Sequence, residues 1–263
     1  MTVLQAIIMG IVEGVTEFLP VSSTGHLILT SKLLGIVDSD FLKSFEIAIQ
    51  FGAILAVVAL YWKKFTSDIE TWKRVSVAFI PTAVVGFLLY NVLKNYLLSS
   101  GTLVIWALLI GGAALIAFEL WHKRYRYYKT DGRHNRSIIE ITYKQSFLIG
   151  LAQSLAIIPG VSRSAATIVG GLALGISRQA IVEFSFLLAV PTMAAATGYD
   201  LLKSAGSFEI GQFWVLAIGF VISFLVAMAS IVWLLKFVKN HTFIGFGVYR
   251  IIIALFFWFL VVR

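Results

Sequence analysis

The chain has 263 residues, 59% of them hydrophobic and 13% charged, whereas a soluble domain carries roughly 45–50% apolar and about 25% charged residues. Its formal net charge is +8, yet the basic residues stand between long apolar runs where membrane topology accounts for them, so no nucleic-acid partner is expected. There is no cysteine, which excludes disulfides, thiolate metal sites and cysteine nucleophiles.

The first apolar stretch, residues 3 to 36, is broken at Pro20 to His26 by the run PVSSTGH. Each half is too short to cross a hydrocarbon layer at about 1.5 Å per helical residue. The stretch reads as a re-entrant helical hairpin, whose irregular tip must be buried in protein or line a wet cavity. Three spans follow, Phe45 to Trp62, Val75 to Leu93 and Leu103 to Trp121. Residues 122 to 144 form a basic loop. A second broken stretch, residues 145 to 176, carries PGVSRS at Pro159 to Ser164, and three more spans follow: Ala180 to Leu202, Phe213 to Leu235 and Phe243 to Val262. The expectation is an all-α integral membrane protein with six transmembrane helices and two re-entrant hairpins.

Lys and Arg counts orient it, because cytoplasmic loops retain them. Lys63, Lys64, Lys73 and Arg74 follow the first span, and Lys123 to Lys144 holds seven basic residues, so both loops are expected to be cytoplasmic. The loops carrying only Lys94 and only Lys203 then face outward, as does Arg263.

An offset of 140 positions overlays Gln5 on Gln145, Gly10 on Gly150 and Val21-Ser22 on Val161-Ser162. Residues 1 to 121 and 145 to 263 thus read as two repeats within one membrane domain. A unit of three crossings plus a returning hairpin is odd, so the second copy is inverted, and such folds build their site near the midplane from broken helices.

Ionisable groups inside a membrane are costly and therefore functional candidates. Glu13 and Glu17 lie one helical turn apart on one face, with Ser22, Ser23, Thr24 and His26 beyond Pro20. Ser23 is expected to stand at the helix start, within reach of His26 three residues on. The second tip adds Ser162, Arg163 and Ser164, with Thr167 one turn further. Helix N-termini and an Arg fork suit phosphate oxygens, and the two carboxylates suit a divalent cation, with Gln153 the counterpart of Glu13. Glu46 and Gln50 are possible outer-layer partners of the site. Glu119 and Glu183 fall at span ends and read as interface markers, while Arg250, inside the last span, reads as an ion pair or a carbonyl clamp. A Ser or Thr on an apolar helix is more often a packing residue bonded to its own backbone.

The runs EGVTEFLPVSSTGH at Glu13 to His26 and PGVSRSAAT at Pro159 to Thr167, with FEIAIQFGAILAV at Phe45 to Val57 and YRI at Tyr249 to Ile251, resemble the bacterial undecaprenyl-pyrophosphate phosphatase family, also called bacitracin-resistance proteins. The resemblance covers essentially the whole chain. It implies an enzyme that removes the terminal phosphate of a polyprenyl pyrophosphate and recycles the lipid carrier of cell-wall synthesis. It also implies a divalent cation, Mg2+ or Ca2+, and a site open to the outer face of the plasma membrane. Carried over, Ser23 is the nucleophile, Glu17 and His26 handle protons, and Glu13 lies at the metal. Arg163, Ser162, Ser164 and Thr167 hold phosphate, joined by the hydroxyls of Ser22 and Thr24. The resemblance leaves open which of Glu17 and His26 is the base, and whether water attacks directly. The partners implied are the lipid substrate and membrane lipids, and a homodimer is compatible with them.

The rival reading is an inverted-repeat secondary transporter or a flippase for a phosphorylated lipid, which needs no nucleophile. The acid phosphatases with a second catalytic His are a weaker rival, because no His follows Arg163 before His241.

Overall fold

A computed structural model describes residues 1–92, 101–127, 141–204 and 212–261. The expected loop residues Lys94, Lys129, Arg133 and Arg136, and the terminal Arg263, lie outside the described residues. All regular structure among the described residues is helical: α1 (Val3–Thr16), α2 (Ser23–Leu33), α3 (Asp40–Leu60), α4 (Trp62–Ser67), α5 (Ile69–Val92), α6 (Gly101–Tyr127), α7 (Tyr143–Ser154), α8 (Arg163–Ala173), α9 (Arg178–Ser204), α10 (Phe213–Phe237) and α11 (Ile244–Val261). A single 3₁₀ turn, Leu155–Ile157, follows α7.

Five helices, α3, α5, α6, α9 and α10, are long and apolar enough to cross a membrane. The expected sixth span is α11, whose described apolar stretch, Ile244–Phe259, is shorter. Large apolar side chains such as Phe87, Leu88, Ile110, Trp214 and Phe259 point outward from these helices. A soluble monomer does not present so much apolar surface, but lipid covers it at no cost. The chain is an all-α integral membrane protein.

The two broken stretches form helical hairpins of 14 and 11 residues and of 12 and 11 residues. Their helices are about 16–21 Å long at about 1.5 Å per residue. Local chemistry dictates both ends of each hairpin. Thr2 with Gln5, and Thr142 with Gln145, form capping boxes at the starts of α1 and α7. Gly35 and Gly175, at φ 62° and 78°, end α2 and α8 in left-handed turns that return Ile36 N–H to Ser31 O and Ile176 N–H to Gly171 O. The Gln5 side chain then donates to Leu34 O at 3.0 Å, and Gln145 to Leu174 O at 3.2 Å, closing each hairpin at its open end. These features recur at the 140-residue offset read from the sequence, although the second hairpin begins at Tyr143, not at residue 145.

Packing partners are exchanged between the halves. α1 lies mainly against α10, and α7 mainly against α5, while α3 packs on α9 and α6 on α11. Phe45, Ile49 and Ile54 of α3 and Phe184, Phe186 and Leu187 of α9 are fully buried at the centre. The two hairpin tips meet over this core.

Two expectations are corrected. Glu119, expected as a marker at a span end, is buried in protein there and forms a two-pronged ion pair with Arg178 at 2.7 and 2.5 Å. A buried carboxylate needs such a partner. Lys203 lies within α9 and not in a loop.

Candidate active site

The first tip runs from Glu17 to Ser22, and the second from Ile158 to Ser162. Pro20 and Pro159 cannot continue a helix and disfavour it at the preceding residue, so the chain turns there. Both turns finish on a serine in the left-handed region, Ser22 at φ 73° and Ser162 at φ 76°, the only non-glycine residues with positive φ among those described. Such backbone costs on the order of 1–3 kcal/mol per residue and persists only where the surroundings enforce it.

Arg250 supplies part of that enforcement. Fully buried on α11, it donates to the carbonyls of Gly160 at 2.9 Å, Val161 at 3.0 Å and Pro20 at 3.4 Å, and to Ala107 O at 3.0 Å. It is thus a carbonyl clamp that joins both tips to α6. Gly160 is required beneath it: its φ is +92°, and a Cβ there would come within 2.9 Å of Ala107 Cβ and Val104 O. Ser164, fully buried, donates to Leu19 O at 2.7 Å and ties the tips a second time.

Glu17 lies between the two half-helices. Ser23 Oγ donates to its Oε2 at 2.5 Å, and Arg163 Nη2 donates to its Oε1 at 2.8 Å. Arg163 is oriented further by Nη1 donating to Ser185 O at 3.0 Å and by the Phe18 ring, 5.7 Å from its Cζ. Hydroxyl, carboxylate and guanidinium form one chain of charge-assisted hydrogen bonds.

His26 stands apart from that chain. Ser22 is the N-cap of α2 and Ser23 its first helical residue, and although positions 23 and 26 are one turn apart, the Ser23 hydroxyl is engaged by Glu17 and not by the imidazole. Instead His26 Nδ1 lies 2.8 Å from Ser22 O and Nε2 lies 2.8 Å from the Tyr249 hydroxyl. The carbonyl can only accept, so Nδ1 carries the proton and Nε2 accepts from Tyr249. Sequence reasoning gave Tyr249 no role of its own; its signals were its place in the YRI run and a phenol beside a charged residue in an apolar stretch.

The remaining expected residues divide. The Ser22 side chain makes no cap hydrogen bond, leaving the first-turn N–H groups of α2, at Ser23 and Thr24, for an anion. Ser162 caps Ala165 N and lies 3.1 Å from Ser164 Oγ. Thr167 is a correction: its hydroxyl bonds back to Arg163 O and Ser164 O and meets Ser185 Oγ at 2.6 Å, fully buried one turn below the tip. It supports α8 and does not face a phosphate. Gln153 is another. Its amide donates to Thr82 on α5, in the other half of the molecule, and to Thr192 on α9, in its own, so as the counterpart of Glu13 it ties the two halves together. Glu13 is fully buried, with neither carboxylate oxygen hydrogen-bonded, and its charged surroundings are Glu17, Glu46 and Arg163. Glu46 thus neighbours the site from α3, and Gln50 lies one turn on, half-buried.

Comparison with known proteins gives a match to the family model described as bacitracin resistance protein BacA over residues 6–256. The undecaprenyl-diphosphatase of Aquifex aeolicus (strain VF5) is 49% identical over 255 residues, covering 97% of each chain. That of Sulfurihydrogenibium sp. (strain YO3AOP1) is 52% identical, covering 98% of this chain and 99% of its own. That of Persephonella marina (strain DSM 14350 / EX-H1) is 51% identical, covering 98% of both.

Proposed function

The chain belongs to the bacitracin resistance protein BacA family, and on that premise we propose that it is an undecaprenyl-diphosphatase, hydrolysing undecaprenyl pyrophosphate to undecaprenyl phosphate and phosphate. The observation that carries this reading is Glu17 between Ser23 and Arg163. A hydroxyl is a poor nucleophile until an adjacent base takes its proton, and Glu17 Oε2 is that base. Ser23 Oγ attacks the terminal phosphorus, forming an O–P bond as the bond to the bridging oxygen breaks and undecaprenyl phosphate leaves. The serine proton passes to Glu17. Water then attacks the phosphoserine, inorganic phosphate leaves, and Ser23 regains its proton. Arg163 and the first-turn N–H groups of α2 hold the phosphoryl oxygens, and His26, accepting at Nε2, takes the proton of the attacking water.

A divalent cation fits this donor set. Glu13 offers two buried oxygens without partners, one turn before Glu17. Two carboxylates completed by substrate phosphate oxygens and water are an ordinary Mg2+ arrangement. When bound there, Mg2+ or Ca2+ neutralises charge on the pyrophosphate.

The same reading makes α11 the sixth span and the hairpins re-entrant, with residues 1 to 121 and 145 to 263 as inverted repeats. The recurrence of caps, turns and strained serines at the 140-residue offset supports it, as does the exchange of packing partners. The enzyme is then a multi-pass protein of the bacterial plasma membrane, with its site open to the outer face. A flippase would need none of the Ser23–Glu17 chemistry. Phosphate release from undecaprenyl pyrophosphate by the purified protein in detergent tests the proposal; binding of the lipid with no release would sink it in favour of transport.

A further inference from the structure

His26 has no free nitrogen. Its ring is 6% exposed, Nδ1 is engaged with Ser22 O, and Nε2 is covered by the Tyr249 hydroxyl. The two rings are nearly coplanar in orientation, 8° apart, with centroids at 5.5 Å. Tyr249 itself is 40% exposed. The phenol oxygen therefore covers Nε2 of the buried imidazole and belongs to a side chain that is partly open, which gives a proton a path to Nε2 through that oxygen.

We propose that Tyr249 is a proton relay between the attacking water and His26. The proposal rests on the hydrolytic reading above and extends it. As the water oxygen bonds to the phosphoserine phosphorus, its proton moves to Tyr249 Oη, while the phenol proton moves to His26 Nε2. The tyrosine is neutral before and after, and the imidazole becomes imidazolium. Ser23 leaves with the proton that Glu17 took from it, and the imidazolium returns its proton through Tyr249 to the departing phosphate, so no outside reactant is needed. Tyr249 is well supported for this part: Arg250, the next residue, is anchored to four backbone carbonyls, which holds this turn of α11 against both tips.

The test is steady-state phosphate release in detergent by the full chain and its variants, with undecaprenyl pyrophosphate as substrate. Tyr249→Phe keeps the ring and its packing and removes only the hydroxyl. It should lower kcat about 10²-fold, the scale of one acid–base group, with KM within about two-fold. Combining it with His26→Ala should add little to the loss from His26→Ala alone. Fluorotyrosine placed at position 249 retains the hydroxyl but changes its acidity, so the rate should change measurably. A residue that merely packs would be indifferent to that. ¹⁵N spectra of the four histidines should show one ring protonated at Nδ1 whose Nε2 signal moves in Tyr249→Phe. If His26→Ala is impaired while Tyr249→Phe and the fluorinated protein match wild type, the relay is wrong and the phosphatase reading stands. A His26 ring protonated at Nε2 also overturns it. Full activity of His26→Ala removes the relay together with the role assigned to His26.

Discussion

Ser23 and Arg163 are the first helical residues of α2 and α8, 140 positions apart, and both donate to the single carboxylate of Glu17, at 2.5 and 2.8 Å. Equivalent places in two similar hairpins thus hold a hydroxyl and a cation, joined through a residue whose own counterpart, Ile157, is apolar.

Glu17→Gln keeps the size of the side chain but removes the base and the charge that orients Arg163. Phosphate release should fall by about 10²-fold or more. Arg163→Lys retains the charge without the planar fork and should lose on the order of 10²-fold in kcat. Rates near wild type for either variant would take that residue out of the mechanism.

Ser23→Ala should abolish turnover while leaving expression and lipid binding intact, and Ser22→Ala should do less. Glu17→Gln combined with Ser23→Ala should be no worse than Ser23→Ala alone, because the two act as a unit. Trapping a ³²P-labelled protein from substrate labelled at the terminal phosphate would show the phosphoserine directly. A fully active Ser23→Ala protein points instead to direct attack by water.

Arg250→Met removes donors to four carbonyls in a fully buried site. Leaving those acceptors unmatched should destabilise the folded protein by at least about 3 kcal/mol. Thermal unfolding in detergent reads this as a lower midpoint, and activity should fall with it. An unchanged midpoint would mean that the tips hold together without the clamp.

Chelation with EDTA should abolish phosphate release, and added Mg2+ or Ca2+ should restore it. Glu13→Gln should raise the cation concentration needed for half-maximal rate at least tenfold while the protein stays folded. An unchanged cation requirement in Glu13→Gln would move the ion elsewhere.

Topology is accessible because the chain has no cysteine. Single cysteines at Lys94 and at Lys129 should react with an impermeant thiol reagent from opposite sides of intact cells. Labelling from the same side would contradict the inverted repeats.

Hydropathy and loop charge made the membrane helices legible, because each span is a local property of about 20 residues. The hairpins were legible from Pro20 and Pro159 with their hydroxyl runs, and Glu17, Ser23 and Arg163 from chemistry that has no business in hydrocarbon. Tertiary contacts decided the rest. His26 found its partners in Ser22 O and in Tyr249, 223 residues on, which local spacing does not reveal. Thr167 looked like a phosphate ligand until Ser185, 18 residues on, occupied its hydroxyl. Glu119 sat at the end of an apolar run, and only the fold brought Arg178 to it.

The exchanged packing also sets when the protein can first work as it is synthesised. Domains generally form in the order in which they leave the ribosome, but α1, among the first helices made, finds its main partner in α10, some 200 residues later. The residues that join the two tips and cover His26, Arg250 and Tyr249, are on α11. A chain halted before α11 keeps the Ser164 to Leu19 and Arg163 to Glu17 ties between the tips but lacks the four-carbonyl clamp of Arg250. The geometry around Ser22 and Ser162 is therefore complete only once α11 has been inserted.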